Sequence, residues 1–313
     1  MAVLRGEKPD RVPTGFWMHF PEDYFYGTPA VEMHLRYFRE ARPDLCKVMT
    51  ENLYPCDHTI SAAGDWRKVR SWDRNASFIR AQADIISRVV EGWREAPVLA
   101  TLHGVVASAS HTLLGVQKYN VIGRYAQLYH LRMDPEAVEE GYRRIADTLC
   151  VMAEEFVRAG AEGIFYAGLG GESDGFTDEE FERYIAPLDK MVLEAAYTAG
   201  ARFVVLHMCK PKVRLQRYLS YPCDIVNWGV EESGVSISEG RQLFPDKVIL
   251  GGINNKHGGL IDGDEAALER EVLSAIREAA GGRFILGSDC TLPGSVPFAS
   301  IARISEIAEK YRA

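Results

Sequence analysis

The sequence lacks a basic face: its formal net charge is -8, and no Lys/Arg-rich run occurs anywhere. A partner bound mainly through phosphate neutralisation is therefore not expected, which removes nucleic acid from the candidate ligands. Also missing is any apolar run approaching the roughly 20 residues that cross a bilayer. The opening Met1-Ala2-Val3-Leu4-Arg5-Gly6-Glu7-Lys8 has no apolar core of the signal-peptide kind, so the expectation is a cytoplasmic protein without a membrane partner. Cysteine is sparse, with six residues at 46, 56, 150, 209, 223 and 290. Spread through so long a chain they form no disulfide framework, and some are then open to metal binding. There is no Pro/Ser-rich linker, short repeat or low-complexity segment, and no second domain is expected within residues 1–313.

What is present is ordinary in amount and regular in order. Hydrophobic residues make up 47% and charged residues 26% of 313, as in globular proteins. Short apolar runs alternate eight times with longer amphipathic stretches. The strand candidates are Val12–Phe20, Leu45–Glu51, Val98–Val105, Gly163–Leu169, Arg202–Cys209, Ile225–Val230, Val248–Ile253 and Arg283–Asp289. Turn signals such as Ala159-Gly160-Ala161 and Ala199-Gly200-Ala201 bound them, since glycine accepts the φ > 0 that ends a helix. Thr177-Asp178-Glu179-Glu180 has the form of a capping box, Asp134-Pro135-Glu136 puts proline just inside a helix start, and the helix from about Glu136 to Ala159 is the longest. Eight such units without a dinucleotide glycine fingerprint predict an α/β fold, a single (β/α)8 TIM barrel and not an open doubly wound sheet. The stretch from Tyr54 to Asn75 shows no period and is expected to be a longer loop after the second strand, where lids and binding determinants reside.

Catalytic groups of parallel barrels sit at the C-terminal ends of strands. His207 and Cys209 close the fifth strand candidate, and Cys290 follows the eighth. The i, i+2 spacing turns both side chains of the first pair to one side of an extended backbone, and Cys290 supplies a third corner. Three N/S ligands with one position open describe catalytic zinc, and thiolates disfavour magnesium or calcium. The competing reading is two buried thiols and a hydrogen-bonded core histidine. Cys46 and Cys150 read as packing, and Cys56 and Cys223 as loop thiols. Other strand ends offer Glu51 as a catalytic residue, accepting a proton or filling the metal's fourth position. His19, His103, Tyr166, Asn227 and Asn254 are candidates for substrate binding. His257 reads as a loop residue and Glu172 as a rim residue without chemistry.

Several segments carry a resemblance over nearly the whole chain: Arg5-Gly6-Glu7-Lys8-Pro9-Asp10-Arg11-Val12-Pro13, Asn227-Trp228-Gly229, Phe244-Pro245-Asp246-Lys247, Leu250-Gly251-Gly252 and Gly282 to Cys290. In them the sequence resembles the uroporphyrinogen decarboxylase superfamily. His207-x-Cys209 with a distant Cys290 is similar to the zinc motif of its corrinoid-dependent methyltransferases, including methylcobamide:coenzyme M methyltransferases. The resemblance implies a zinc-dependent methyltransferase, with a corrinoid (cobamide) as methyl carrier on a partner protein and a thiol or methylated small molecule as substrate. The decarboxylase branch carries an arginine-bearing motif where this chain reads Trp17-Met18-His19-Phe20-Pro21-Glu22, and a C-terminal histidine where it reads Gly287-Ser288-Asp289-Cys290. A metal-free decarboxylase would then need Arg67, Arg70 or Arg74 as substitutes. A non-catalytic corrinoid- or metal-binding barrel is the third reading.

Overall fold

A computed structural model describes residues 1–114 and 121–310 of the chain. Eight parallel strands form one sheet, β1 (Thr14–Gly15), β2 (Cys46–Val48), β3 (Val98–His103), β4 (Gly163–Gly168), β5 (Phe203–Met208), β6 (Ile225–Trp228), β7 (Val248–Ile253) and β8 (Phe284–Ser288). Their spatial order is β1-β8-β7-β6-β5-β4-β3-β2. The two ends meet where the amides of Asp44 and Leu45 donate to the Thr14 carbonyl at 2.9 and 3.1 Å. The expected (β/α)8 barrel is therefore the fold.

Nearly every strand residue is buried, because helices cover the outside and side chains fill the inside. Parity decides which face a residue takes. Phe165, Phe203, Val205, Ile225, Leu250 and Ile285 pack together inside the barrel with Trp17 and Leu45. Their neighbours Ile164, Tyr166, Val204, Leu206, Met208 and Val226 pack outward against the helices. In the ladder between β1 and β8, Gly15 pairs with Gly287. A Cβ on Gly287 would stand 2.4 Å from the Gly15 carbonyl oxygen, so glycine there lets two backbones approach.

The helices between strands include α1 (Gly27–Ala41), α2 (Ser77–Gly92), α3 (Val105–Leu114), α4 (Val121–Met133), α5 (Pro135–Arg158) and α6 (Ala186–Thr198). Helix α5 is the long one foreseen, with Asp134 capping the Ala137 amide and Pro135 in its first turn. The Thr177–Glu180 capping box forms as read. No helix among the described residues is long and apolar enough to cross a membrane.

Three expectations need correction. The first two strands are much shorter than Val12–Phe20 and Leu45–Glu51, because their ends leave the ladder at the rim. The third strand stops at His103: Ser108 donates its amide to the Gly104 carbonyl, and the chain is already helical at Val105. The Tyr54–Asn75 loop, with a helical turn at Ala63–Lys68, is not a lid. Its Trp66 is fully buried, donates Nε1 to His130 Nδ1 at 3.1 Å and packs edge-on against Tyr142 of α5. Helices α3 and α4, between β3 and α5, supply the cover instead.

Candidate metal centre

A cavity of about 620 Å³ opens at the C-terminal end of the barrel, bounded by strand ends and by α3 and α4. At its rim the nearest ligand atoms of His207, Cys209 and Cys290 all lie within 4.8 Å of one another. No other such group of three His, Cys, Asp or Glu occurs among the described residues. His207 has the inward parity of Phe203 and Val205, and Cys209 follows it two residues on, so the extended backbone of β5 delivers both. The Cys209 amide donates to the Gly168 carbonyl at 3.1 Å. The chain then turns through Lys210 at φ 87°, a conformation uncommon for a non-glycine residue.

Cys290 is set by the residue before it. Asp289 is buried and accepts from the Gly252 amide at 3.2 Å and the Val230 amide at 2.9 Å, which fixes the end of β8 against those of β6 and β7. Burial pushes its carboxyl up to about 7. The Cys290 sulfur stands 3.4 Å from His207 Nε2. Tetrahedral zinc with bonds of ~2.0–2.1 Å to nitrogen and ~2.3 Å to sulfur has N···S edges of about 3.6 Å, so the spacing suits that ion. The two thiols are free and in hydrogen-bond contact. The hydrogen bond from Cys209, and after it the charge of His207, hold the Cys290 thiol well below the usual range against the opposing effect of burial. One sulfur of the pair is thus ready to ionise, and a metal held there would displace the second proton.

Asn227, a substrate-binding candidate, is fully buried and does not line the cavity. It stands opposite His207 in the ladder between β5 and β6 and accepts from His207 Nδ1 at 2.5 Å. Tyr166 is a correction too. Its outward parity buries it between barrel and helices, where its hydroxyl donates to Asp189 of α6. Asn254 binds Glu231 at 2.7 Å outside the cavity, and its neighbours Asn255 and Lys256 line the wall instead. His19 and His103 do line it. Glu51 is outside the three-ligand group and sits behind His19, with Oε1 2.6 Å from His19 Nδ1. Glu172 is buried and pairs with Arg124 of α4, while His257 pairs with Glu231 on the surface.

Lysine 47 was not foreseen. It sits inside the barrel on β2, only 4% exposed, with Nζ 3.9 Å from the ring centre of Phe165 and 5.1 Å from that of Trp17. Phe165 also packs on His207, ring centres 5.5 Å apart. Lys210, Lys256 and Arg124 line the same cavity, and none of the described residues lining it is Asp or Glu. Burial, with smaller contributions from His111 and Lys47, holds His103 well below the usual imidazole range, and burial lowers His111 to about 4. The arginines that might replace a decarboxylase's carboxylate anchors are engaged elsewhere. Arg67 pairs with Asp134 at 2.7 Å, Arg70 with Asp57 at 2.8 Å and Arg74 with Glu154 at 3.7 Å, and none lines the cavity.

The sequence profile of uroporphyrinogen decarboxylase (URO-D) matches residues 56–311. No curated protein matches the sequence. Among solved structures, a methyltransferase from Methanosarcina mazei superposes with a TM-score of 0.75 at 14% identity, covering 100% of this chain and 97% of that one. A B12-independent methionine synthase from Shewanella sp. W3-18-1, in complex with selenomethionine, gives 0.62 at 12% identity over 96% and 97%. A β-1,4-mannanase from the sea hare Aplysia kurodai gives 0.55 at 10% identity over 96% and 93%. At these identities the likeness is one of fold, which methyltransferases share with a glycosidase.

Proposed function

The chain belongs to the uroporphyrinogen decarboxylase family, and we propose that it is a zinc-dependent methyltransferase of that family. In this reading a methyl group moves between a corrinoid held on a partner protein and a thiol or methylated small substrate. The observation that carries it is one imidazole nitrogen and two sulfurs within 4.8 Å, at the rim of a cavity whose described lining holds no carboxylate. His207, Cys209 and Cys290 would hold the ion. Zinc bound there supplies a Lewis acid that keeps a substrate sulfur as thiolate, or polarises a methylated donor when transfer runs the other way.

The chain's own residues do the rest. Asn227 orients His207, and Met49, Phe165 and Leu169 give the cavity apolar walls. Lys47, Lys210 and Lys256 favour a small substrate with an anionic group, while His19 and His103 border the space it would fill. The whole of residues 1–313 acts as one barrel domain.

Elemental analysis tests the centre. The purified protein should contain about one zinc per chain, and Cys209→Ser and Cys290→Ser should each lose most of it; full retention in both variants ends the reading. Demethylation of methylcobalamin is then assayed with a panel of thiols and with tetrahydrofolate, and methylation of a thiol is the expected result.

A further inference from the structure

We propose that Cys209 and Cys290 are a redox pair: a reversible disulfide between them shuts the candidate metal site, which then takes an ion only in its dithiol state. The linkage stands on the geometry of the chain alone, and its consequence for zinc rests on the methyltransferase reading.

Of the six cysteines, only these two line the cavity, where a small oxidant can reach them. Their sulfurs lie within 4.8 Å of each other. A disulfide has its sulfurs about 2.05 Å apart, so roughly 3 Å at most has to close. Turning one side chain from one staggered well to the next moves its sulfur by about that much. Neither residue belongs to a strand ladder, since β5 ends at Met208 and β8 at Ser288. The side chains can therefore meet across the open end of the barrel without breaking strand pairing. The main chain is held on both sides. The Cys209 amide donates to the Gly168 carbonyl at 3.1 Å, and Asp289, next to Cys290, accepts from the Gly252 and Val230 amides. These anchors keep the two sulfurs facing each other.

The remaining cysteines are placed differently. Burial pushes the thiols of Cys46, Cys150 and Cys223 up, the last two to about 11 and about 12. The thiolate is the species that reacts with an oxidant, so these three stay inert near neutral pH. Cys56 lies in the Tyr54–Asn75 loop and donates to the His58 carbonyl at 3.0 Å.

In the step, one sulfur attacks an oxygen of hydrogen peroxide as thiolate. The O–O bond breaks, water leaves once a proton is taken up, and a sulfenic acid remains. The second sulfur then attacks the first: the S–S bond forms, the S–O bond breaks and a second water leaves. Two thiols and one peroxide thus give one disulfide and two waters, with two electrons passing from sulfur to peroxide. A small dithiol reverses the change by exchange, becoming a disulfide itself as both cysteines regain their hydrogens. The thiolate is also the metal ligand, so the linked state leaves His207 as the one ligand of the three. With both thiolates committed to a metal, neither is free to attack peroxide. In reducing surroundings such a linkage is transient, which is how thiol pairs serve as sensors.

The test counts thiols. The full chain, stripped with a chelator and kept dilute, receives about one equivalent of hydrogen peroxide; remaining thiols are blocked with iodoacetamide and the protein is mapped by mass spectrometry. Two of the six thiols should disappear, the chain should lose about 2 Da as two hydrogens leave, and one peptide pair should be joined through Cys209 and Cys290. Zinc uptake should be nearly abolished until dithiothreitol restores it, and zinc-loaded protein should keep its thiols under the same exposure. Cys56→Ser should form the same linkage. Sulfinic acid at both positions without a linkage, a pair formed by other cysteines, or a linkage that forms as fast with zinc bound overturns the proposal. A chain that links Cys209 to Cys290 yet takes up no zinc when reduced keeps the redox pair and ends the metal reading. A chain that binds zinc when reduced but never links does the reverse.

Discussion

Asn227 aims His207. The histidine donates Nδ1–H to the Asn227 amide oxygen at 2.5 Å, and the Asn227 nitrogen donates to the Leu250 and Ser288 carbonyls at 2.8 and 3.1 Å. One buried side chain therefore refers the ring on β5 to the backbones of β7 and β8. It also leaves Nε2 as the nitrogen facing the Cys290 sulfur.

Removing that contact should loosen the metal more than the fold. Partners that hold the far nitrogen of a metal-bound histidine contribute roughly 10- to 100-fold in affinity. Asn227→Ala should weaken zinc binding by about that factor, measured by competition with a chromogenic chelator. It should also lose about 1–3 kcal/mol of stability, since two buried carbonyls are left without their donor. Unchanged zinc affinity would mean that His207 is aimed by packing alone.

Lys47 should discriminate between substrates by charge. Methionine in its place keeps an unbranched apolar stem against Phe165 and Trp17 but removes the ammonium. A hydrogen bond to a charged group is worth about 1.5–3 kcal/mol, so Lys47→Met should raise KM for 3-mercaptopropionate about 10- to 100-fold. KM for neutral 2-mercaptoethanol should hardly move. Parallel changes with both thiols would remove Lys47 from substrate recognition.

His34 should make the fold acid-sensitive. It is fully buried, with Nδ1 donating to the Ala30 carbonyl at 2.7 Å and Nε2 accepting from the Met49 amide at 2.9 Å. Both nitrogens are thus committed to the neutral ring. Burial lowers it from 6.5 to about 4, so between those values the unfolded chain binds the extra proton and stability falls as pH falls. The full effect is about 3 kcal/mol. Asp189, raised by burial to about 6, acts with the opposite sign over part of the window. Urea unfolding at pH 7, 6 and 5 should therefore show a flatter pH dependence for His34→Gln than for the wild type. Identical slopes would mean that His34 is already neutral in the unfolded chain or charged in the fold.

The barrel and the approach of His207, Cys209 and Cys290 to one another were legible in the sequence, because strand ends of a parallel barrel share one rim. Apolar runs mark strands, and the i, i+2 spacing of His207 and Cys209 marks one face. Errors arose where one residue of register mattered. Tyr166 sits beside inward-facing Phe165 and so points outward, and Asn254 misses the cavity that Asn255 lines. Lys47 passed unnoticed because a lysine inside a three-residue strand gives no periodic signal, and its aromatic partners are far away in sequence. The segment from Tyr54 to Asn75 looked like a lid only because it lacked a period. What it has is Trp66, and an irregular loop with a buried tryptophan packs onto the body of a protein. Helices α3 and α4 had no distinguishing mark between the third strand and the long helix.

Cys209 follows β5 and Cys290 lies just beyond β8, three strands further round the ring, and His207 and Cys290 are 83 residues apart. Any ion seated among them laces distant stretches of polypeptide together at the open end of the barrel. Its binding free energy then becomes folding free energy. On the proposed zinc reading, the metal content of the growth medium should govern the yield of intact protein as well as its turnover, and a preparation starved of zinc should differ from a full one in robustness before any substrate is added.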